Sequence, residues 1–207
     1  MRLIKEKLSN ESLLKRILCL TVITFVLFFC VTILSYYILP KGLLKGKTSD
    51  STWFASDNSI ILAVQIFAWN SISVIVVIFA SLFGKKKECE NNYLSLGYLV
   101  FILLIIMNAV TLGTWSFSVE TEAIPLMDRM IGIFDIVHRA GIVEMLGQLF
   151  ITCSLAGTGI VLTNGKNTYI KKLKEVHLYK HEIIALVMGI IIMMIAAIIE
   201  SGAINNL

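Results

Sequence analysis

The chain has 207 residues, of which 57% are hydrophobic and only 15% are charged, and its formal net charge is +4. Soluble domains carry about 25% charged residues, so this composition excludes an ordinary soluble protein. The basic balance does not indicate a nucleic-acid partner, because the lysines lie beside long apolar segments, where membrane topology accounts for them.

Five apolar segments are each about long enough to cross a hydrocarbon core of about 30 Å as a helix. In lipid the backbone must satisfy its own hydrogen bonds, which favours helices. The sequence therefore predicts an all-α, polytopic membrane helix bundle, with a single transmembrane domain over residues 17–207 that leaves no room for a soluble catalytic domain. The predicted spans are 17–39, 60–83, 93–117, 140–163 and 183–204.

Residues 1–16 place leucines among lysines, as a short amphipathic helix on the cytoplasmic membrane surface would. The apolar run that follows is longer than the core of about 7–15 residues that is typical of a signal peptide, and it ends without a small-residue cleavage site. It is therefore predicted to be an uncleaved anchor.

The third loop carries a second amphipathic pattern. Pro125 precedes residues 126–137, in which apolar residues recur at helical spacing opposite Asp128 and Asp135. Proline suits the start of a helix. This pattern predicts an interfacial helix on the outer face of the membrane, with a re-entrant turn as the alternative.

The lysines and arginines predict the orientation. When the polar segments are assigned to alternating sides, 13 of these residues fall on the side of the N-terminus and five on the other. The positive-inside rule then predicts a multi-pass protein of the cell membrane, with its N-terminus in the cytoplasm and its C-terminus outside.

Two carboxylates lie within the predicted spans. Glu144, Gln148 and Thr152 share one helical face, and Glu200 lies at a similar predicted depth near the end of the last span. Ionisable residues at membrane depth usually face a bundle interior. Both glutamates could be structural, paired with His138 or Arg139, or they could handle protons or cations or grip a substrate.

Asn70 and Asn108 are the other polar residues near the middle of the spans. Hydrogen bonding between helices is the simplest role for them, worth around 1 kcal/mol each. Four cysteines show no metal-ligand spacing, and the His177–His181 pair lacks the HExxH pattern. No cofactor and no metal site is predicted.

The last two spans carry a recognisable arrangement. Residues 138–144 read His-Arg-Ala-Gly-Ile-Val-Glu, residues 195–200 read Ile-Ala-Ala-Ile-Ile-Glu, and Asn70 precedes a glycine at position 84. Over about 60–204 this pattern resembles the stage II sporulation protein M-like family, in which a His-Gly-x-x-Glu element begins one span and an Ala-Ala-x-x-Glu element closes the last. The spacing from His138 to Glu144 is two residues longer here, so Glu144 and Glu200 are the positions that the resemblance transfers.

The resemblance implies a non-catalytic membrane subunit of a multiprotein envelope complex. Members scaffold cell-wall hydrolases during sporulation, and relatives from circular-bacteriocin clusters, encoded beside an ATP-binding protein, are implicated in maturation and export. The Lys-, Ile- and Asn-rich composition of the chain suits a Gram-positive bacterium. Membrane lipid, other membrane subunits and one of these cytoplasmic or cell-wall partners are the expected contacts, and a homo-oligomer is left open.

Two functions follow as hypotheses. In the first, basic residues of the fourth loop, namely Lys171, Lys172 and Lys174, dock a partner of the complex. In the second, the chain is a self-sufficient proton- or ion-coupled transporter or channel that uses Glu144 and Glu200. An enzyme is not expected, because the sequence has neither a Gly-x-Ser-x-Gly element nor paired metal ligands.

Overall fold

The computed structural model describes residues 2–45, 56, 58–86, 93–116, 122–135, 141–165 and 167–205. Within these ranges the chain forms seven α-helices, four short strands and two 3-10 turns. The helices are α1 (Arg2–Leu8), α2 (Leu13–Ile38), α3 (Ser59–Ser81), α4 (Gly97–Thr114), α5 (Leu126–Gly132), α6 (Gly141–Ser154) and α7 (Lys180–Asn205). The strands are β1 (Phe83–Lys86), β2 (Tyr93–Ser95), β3 (Val161–Asn164) and β4 (Asn167–Ile170), and the 3-10 turns are Leu155–Gly157 and Leu173–Glu175.

Four of these helices, α2, α3, α4 and α7, are long and apolar enough to cross a membrane. The prediction of a helical membrane bundle is thereby confirmed at the level of fold class. The remaining predicted span differs, because the helical stretch that starts at Gly141 ends at Gly157. At a rise of 1.5 Å per residue it covers about 25 Å, short of the hydrocarbon core of about 30 Å.

A small sheet replaces the ends of three predicted spans. Its strand order is β2-β1-β3-β4, with β1 parallel to β3 and antiparallel neighbours on both sides. The backbone N–H groups of Ile160 and Val161 donate to the Leu82 carbonyl at 2.7 and 2.9 Å, which joins the end of α3 to the end of α6. The predicted segments 60–83, 93–117 and 140–163 therefore each include residues that are extended in the structure.

The sheet defines one end of the bundle. It follows α3 and α6 and precedes α4, and the N-termini of α2 and α7 meet beside it. We call this the sheet end, and the opposite end, where α4 meets α5, the Arg129 end.

The bundle is packed through small and polar residues and exposes large apolar ones. In α2 the buried residues recur at every third or fourth position from Arg16 to Ser35 and include Thr24 and Thr32, whereas Val22 and Val26 are exposed. Small and polar contacts between helices with an apolar outer surface are the arrangement that lipid favours. A water-exposed surface of this kind would be an aggregation liability.

The amphipathic helix of the third loop begins after Pro125, as predicted, and ends at Gly132. Met127 and Ile131 are exposed, the half-exposed Phe134 stacks on Phe25 and Phe29 of α2, and Ile133 is buried against the bundle. The helix predicted over 126–137 is therefore too long, because residues 133–135 are not helical, and its last two positions lie outside the described residues.

Candidate functional site

The polar face of α6 is held together by a direct contact. The Gln148 amide Nε2 donates to the Glu144 carboxylate at 2.8 Å, across one helical turn. Gln148 is only 4% exposed, and its Oε1 atom has no hydrogen-bond partner among the described residues. An unpaired buried acceptor is costly, so this face of α6 carries one acceptor that is free to bind a proton donor or a cation.

Glu200 approaches the same face from α7. It follows Met193 and Ala196, which are buried in the contact with α6, and its side chain is half-buried. Within the described ranges neither carboxylate forms an ion pair with a cation, and the predicted partners His138 and Arg139 lie outside those ranges.

Two glycines bring α6 and α7 together at this site. A Cβ atom built on Gly147 would lie 2.8 Å from the Gly189 carbonyl oxygen, and a Cβ on Gly189 would lie 2.7 Å from the Gly147 carbonyl oxygen. The two backbones are therefore in direct contact, which only glycine at both positions allows. This close crossing sets how near the polar faces of the two helices can come.

The two asparagines do not join the glutamates. Asn70 is half-buried on α3, and Asn108 is exposed on the outer surface of α4. The buried stripe of α4 runs through Phe101, Ile105 and Ala109, which leaves position 108 beside the stripe and facing outward. The expected interhelical hydrogen bond of Asn108 is absent from the part of the chain that the structure describes.

The three lysines of the fourth loop have two different environments. Lys171 is half-buried, with its Nζ 4.8 Å from the centre of the Tyr93 ring, a cation–π contact. Lys172 and Lys174 are exposed. Lys172 and Lys174 are therefore accessible to a partner, whereas Lys171 packs against Tyr93 and helps to hold the sheet together.

Tyr93 is also a structural centre of the sheet. Its hydroxyl accepts a hydrogen bond of 2.7 Å from the Gly159 backbone N–H. Burial raises the pKa of the Tyr93 phenol, while the bond from Gly159 acts in the opposite direction. The phenol is therefore neutral at physiological pH and can bridge β2 to the end of α6.

An ion pair at the sheet end is a feature that sequence reasoning missed. Arg16 and Glu182 are 4% and 3% exposed, and the Arg16 Nη2 donates to the Glu182 Oε1. The Glu182 Oε2 also accepts from the Tyr179 backbone N–H at 3.0 Å, as the third residue of a helix does in a capping box. Arg16 begins the i, i+4 series of buried residues that continues through Leu20. This spacing is the sequence signal from which its burial could have been inferred.

A second buried arginine was missed at the opposite end. Arg129 is 1% exposed, and it donates to the carbonyl oxygens of Gly113 at 2.6 Å, Leu112 at 3.2 Å and Ile124 at 2.7 Å. A cation is favoured at the C-terminus of a helix, where carbonyl groups lack partners. Arg129 therefore caps α4 from α5.

Aromatic rings enclose the same guanidinium. Its central carbon lies 4.9 Å from the centre of the Tyr36 ring and 4.8 Å from that of Trp115. Burial lowers the pKa of Arg129 below its ordinary value, and arginine keeps its proton even then. Arg129 thus joins α2, α4 and α5 into one rigid end.

Comparison with protein-family models, with curated proteins and with solved structures finds no match for this chain. The resemblance to the stage II sporulation protein M-like family therefore remains a prediction from its short motifs, and the site has to be interpreted from its own geometry.

Proposed function

We propose that the chain is a non-catalytic integral membrane subunit of a multiprotein envelope complex, and that the sheet end docks a cytoplasmic partner. The observation that carries this proposal is the basic four-stranded sheet, which the chain builds from two separate loops. A loop that only connects two spans needs no such structure. A rigid, charged surface at one end of the bundle is what a docking face requires.

The orientation supports a cytoplasmic position for this surface. Lys85, Lys172 and Lys174 are exposed at the sheet end, whereas Arg129, one of the few cations of the opposite end, is buried as a helix cap. Arg16 is likewise buried at the sheet end, so the charge difference between the two ends keeps the sign that the sequence count gives. By the positive-inside rule the sheet end faces the cytoplasm, with the N-terminus inside and the C-terminus outside.

The edge of the sheet supports docking. All four residues of β4 are exposed, and β4 has a neighbour on one side only. Edge strands present unpaired backbone groups to an extended segment of a partner, and lysines beside them favour an acidic one. For this cytoplasmic surface the family resemblance suggests an ATP-binding protein for peptide export or maturation, whereas a cell-wall hydrolase for envelope remodelling would bind on the outer side.

Charge reversal tests this proposal. We expect Lys172→Glu with Lys174→Glu to abolish recovery of the partner when the tagged chain is purified in mild detergent and its companions are identified by mass spectrometry. Lys41→Glu, an exposed lysine of the Arg129 end, is the matched control and should leave the complex intact. A C-terminal topology reporter must read the same in every variant. Undiminished recovery with the double reversal would contradict docking at the sheet end.

The Glu144–Gln148 contact favours a second candidate function. One carboxylate on each of α6 and α7, together with the unpaired amide oxygen of Gln148, suits a self-sufficient transporter or channel for protons or cations. This function predicts that the flux of protons or cations into liposomes depends on pH and is lost in Glu144→Gln. Glu175→Gln, which changes an exposed carboxylate of the sheet end, is the control. Flux that is the same in both variants would remove Glu144 from the mechanism.

A further inference from the structure

The register of β4 shows which of its backbone groups face outward. The Lys171 N–H donates to the Ile160 carbonyl at 2.9 Å, so the backbone groups of Lys171 point toward β3. Successive residues of an antiparallel strand alternate between pointing toward the neighbouring strand and pointing away from it. The N–H and C=O groups of Thr168 and Ile170 therefore point away from β3, and they have no hydrogen-bond partner among the described residues. We call this side of the strand the β4 edge.

The β4 edge lacks the features that normally protect the edge of a sheet. Proline, inward-pointing charges, bulges and very short strands prevent further pairing at natural edges. The four residues of β4 read Asn-Thr-Tyr-Ile, with no proline and no charge, and all four are exposed. The strand at the opposite edge, β2, has three residues, none of which is exposed. Of the two edges that the structure describes, that of β4 is therefore the one accessible to a fifth strand.

One face of the sheet indicates what a fifth strand would carry opposite Ile170. Phe83 is the partner of Val161, and Val161 is the partner of Ile170, so the three side chains form an apolar row across β1, β3 and β4. Phe83 is 46% exposed and Ile170 is 75% exposed. Because side chains that lie opposite each other on neighbouring strands are in contact, an apolar residue of the added strand would extend this row and cover Ile170.

The charge around the β4 edge indicates the remaining chemistry of the added strand. Residues 161–174 contain four lysines and no aspartate or glutamate. Lys172 and Lys174 are exposed directly after β4, and the Lys86 Nζ lies 5.8 Å from the centre of the Tyr169 ring. A segment that carries carboxylates complements this charge, whereas β4 of a second copy would bring like charges together.

We propose that the β4 edge binds an extended acidic segment of the cytoplasmic partner as a fifth strand of the sheet, with an apolar residue of that segment opposite Ile170. The backbone groups of Thr168 and Ile170 form the hydrogen bonds, and Lys172 and Lys174 attract the carboxylates. This inference rests on the proposed docking at the sheet end. It adds the mode of recognition, in which backbone pairing gives affinity and the flanking side chains give specificity.

A synthetic peptide tests strand addition on the full chain. The probe is a fluorescent peptide of alternating glutamate and valine residues, added to the purified chain in mild detergent, and a lysine–valine peptide of equal length is the control. We expect saturable binding of the acidic peptide by fluorescence anisotropy, and about tenfold slower amide hydrogen exchange at Thr168 and Ile170 by NMR. Exchange at Tyr169, whose amide already faces β3, should change little. Absence of binding, equal binding of both peptides, or binding without slower exchange at these two amides would overturn the proposal.

A proline at position 170 removes the outward donor and leaves the pairing of β4 with β3 intact. Because the Ile170 N–H points away from β3, Ile170→Pro keeps the hydrogen bonds of the hairpin. We expect it to weaken binding of the acidic peptide about tenfold. Ile170→Val keeps both the donor and an apolar side chain, so it should bind like the unchanged chain. Slow exchange at Tyr169 reports that the hairpin is folded, and undiminished binding to the folded proline variant would overturn the proposal.

Methylation of the peptide gives a test that needs no variant of the chain. An acidic peptide that is methylated at every backbone nitrogen keeps its side chains and charges but cannot donate backbone hydrogen bonds. We expect this peptide not to bind. Binding as strong as that of the unmethylated peptide would show that charge alone attracts it, and would overturn pairing at the β4 edge.

Purification of the native complex separates this inference from the proposed docking. Loss of the partner in both Ile170→Pro and the double reversal at Lys172 and Lys174, with Ile170→Val unaffected, supports recognition through the backbone. If the double reversal abolishes recovery but the folded proline variant does not, docking at the sheet end stands and strand addition is wrong. If neither variant lowers recovery, both are wrong. Co-purification of a differently tagged second copy that is lost in Ile170→Pro would identify β4 of that copy as the occupant and overturn the acidic segment.

Discussion

The contact between Gly147 of α6 and Gly189 of α7 makes a quantitative prediction about stability. In Gly147→Ala the new Cβ would lie 2.8 Å from the Gly189 carbonyl oxygen and 2.6 Å from the Met193 Cγ. Met193 can change rotamer, but the carbonyl belongs to a helix backbone. The Cβ···O distance is about 0.5 Å short of the roughly 3.3 Å at which carbon–oxygen contacts are found, so the helices must separate.

Overpacking of this kind costs about 1–3 kcal/mol, and the higher helix propensity of alanine returns about 1 kcal/mol. We therefore expect Gly147→Ala to lower the free energy of unfolding by about 1 kcal/mol. Gly202, also in a helix, has no atom within 4 Å of a built Cβ. Gly202→Ala gains the helix propensity without the clash. Its free energy of unfolding should therefore be about 2 kcal/mol higher than that of Gly147→Ala.

The assay is unfolding of the purified chain in mixed micelles of rising sodium dodecyl sulfate content, followed by circular dichroism. Gly189→Ala should behave like Gly147→Ala, because its Cβ meets the Gly147 carbonyl at 2.7 Å. In the double variant the helices are already apart, so the second substitution should cost less than the first. Equal stability of Gly147→Ala and Gly202→Ala would refute the direct backbone contact.

Three further substitutions test the buried polar contacts. Arg129→Gln removes the cap of α4 and should cost about 1–3 kcal/mol in the same unfolding assay. Glu182→Ala leaves the Arg16 charge buried without its partner and should cost about 3–5 kcal/mol, whereas Arg16→Met with Glu182→Leu should recover most of that loss. Tyr93→Phe removes the acceptor for the Gly159 N–H and should cost about 1–2 kcal/mol, with faster hydrogen exchange at the end of α6.

Each of these expectations has an outcome that contradicts it. Unchanged unfolding of Arg129→Gln would mean that water or lipid headgroups cap α4 equally well. A double variant at Arg16 and Glu182 that is no better than Glu182→Ala would show that the ion pair itself, and not an unpaired charge, carries the energy. Unchanged exchange at Gly159 in Tyr93→Phe would remove the bridge from β2 to α6.

The sequence was sufficient for the long helices and for one face of the candidate site. A membrane span can be identified by its length and hydropathy. The sequence alone therefore predicts the four long helices α2, α3, α4 and α7. The spacing of Glu144 and Gln148 also predicts one shared face, and the structure joins the two side chains directly. Both inferences are local and need only the geometry of a helix.

The sheet could not be predicted, because β2 and most of β3 lie within the predicted apolar spans and β1 begins at the last residue of another. Val161 and Leu162 would be equally suitable at the end of a membrane helix, and only their pairing with Phe83 and Gly84 makes them a strand. This pairing joins residues that are far apart in the sequence. Strand formation here is a tertiary effect that hydropathy does not report.

The buried arginines escaped prediction for a different reason. A count of cations treats every lysine and arginine as exposed, whereas the partners of Arg129 are backbone carbonyls at the end of α4. Sequence carries no direct record of which carbonyl groups lack partners. Asn108 illustrates a related limit, since a polar residue of an apolar segment can lie beside a buried stripe as easily as within it.

The long-range pairing at the sheet end has a consequence for biosynthesis. A ribosome delivers α2 to the membrane long before α7, yet Arg16 finds its carboxylate only at Glu182, 166 residues later. Until then its guanidinium must remain hydrated at the membrane surface, and β1 must wait for β3. Because closure of this end requires the last helix, a truncated chain would display an unpaired arginine and an open strand edge, features by which cellular quality control can recognise unfinished membrane proteins.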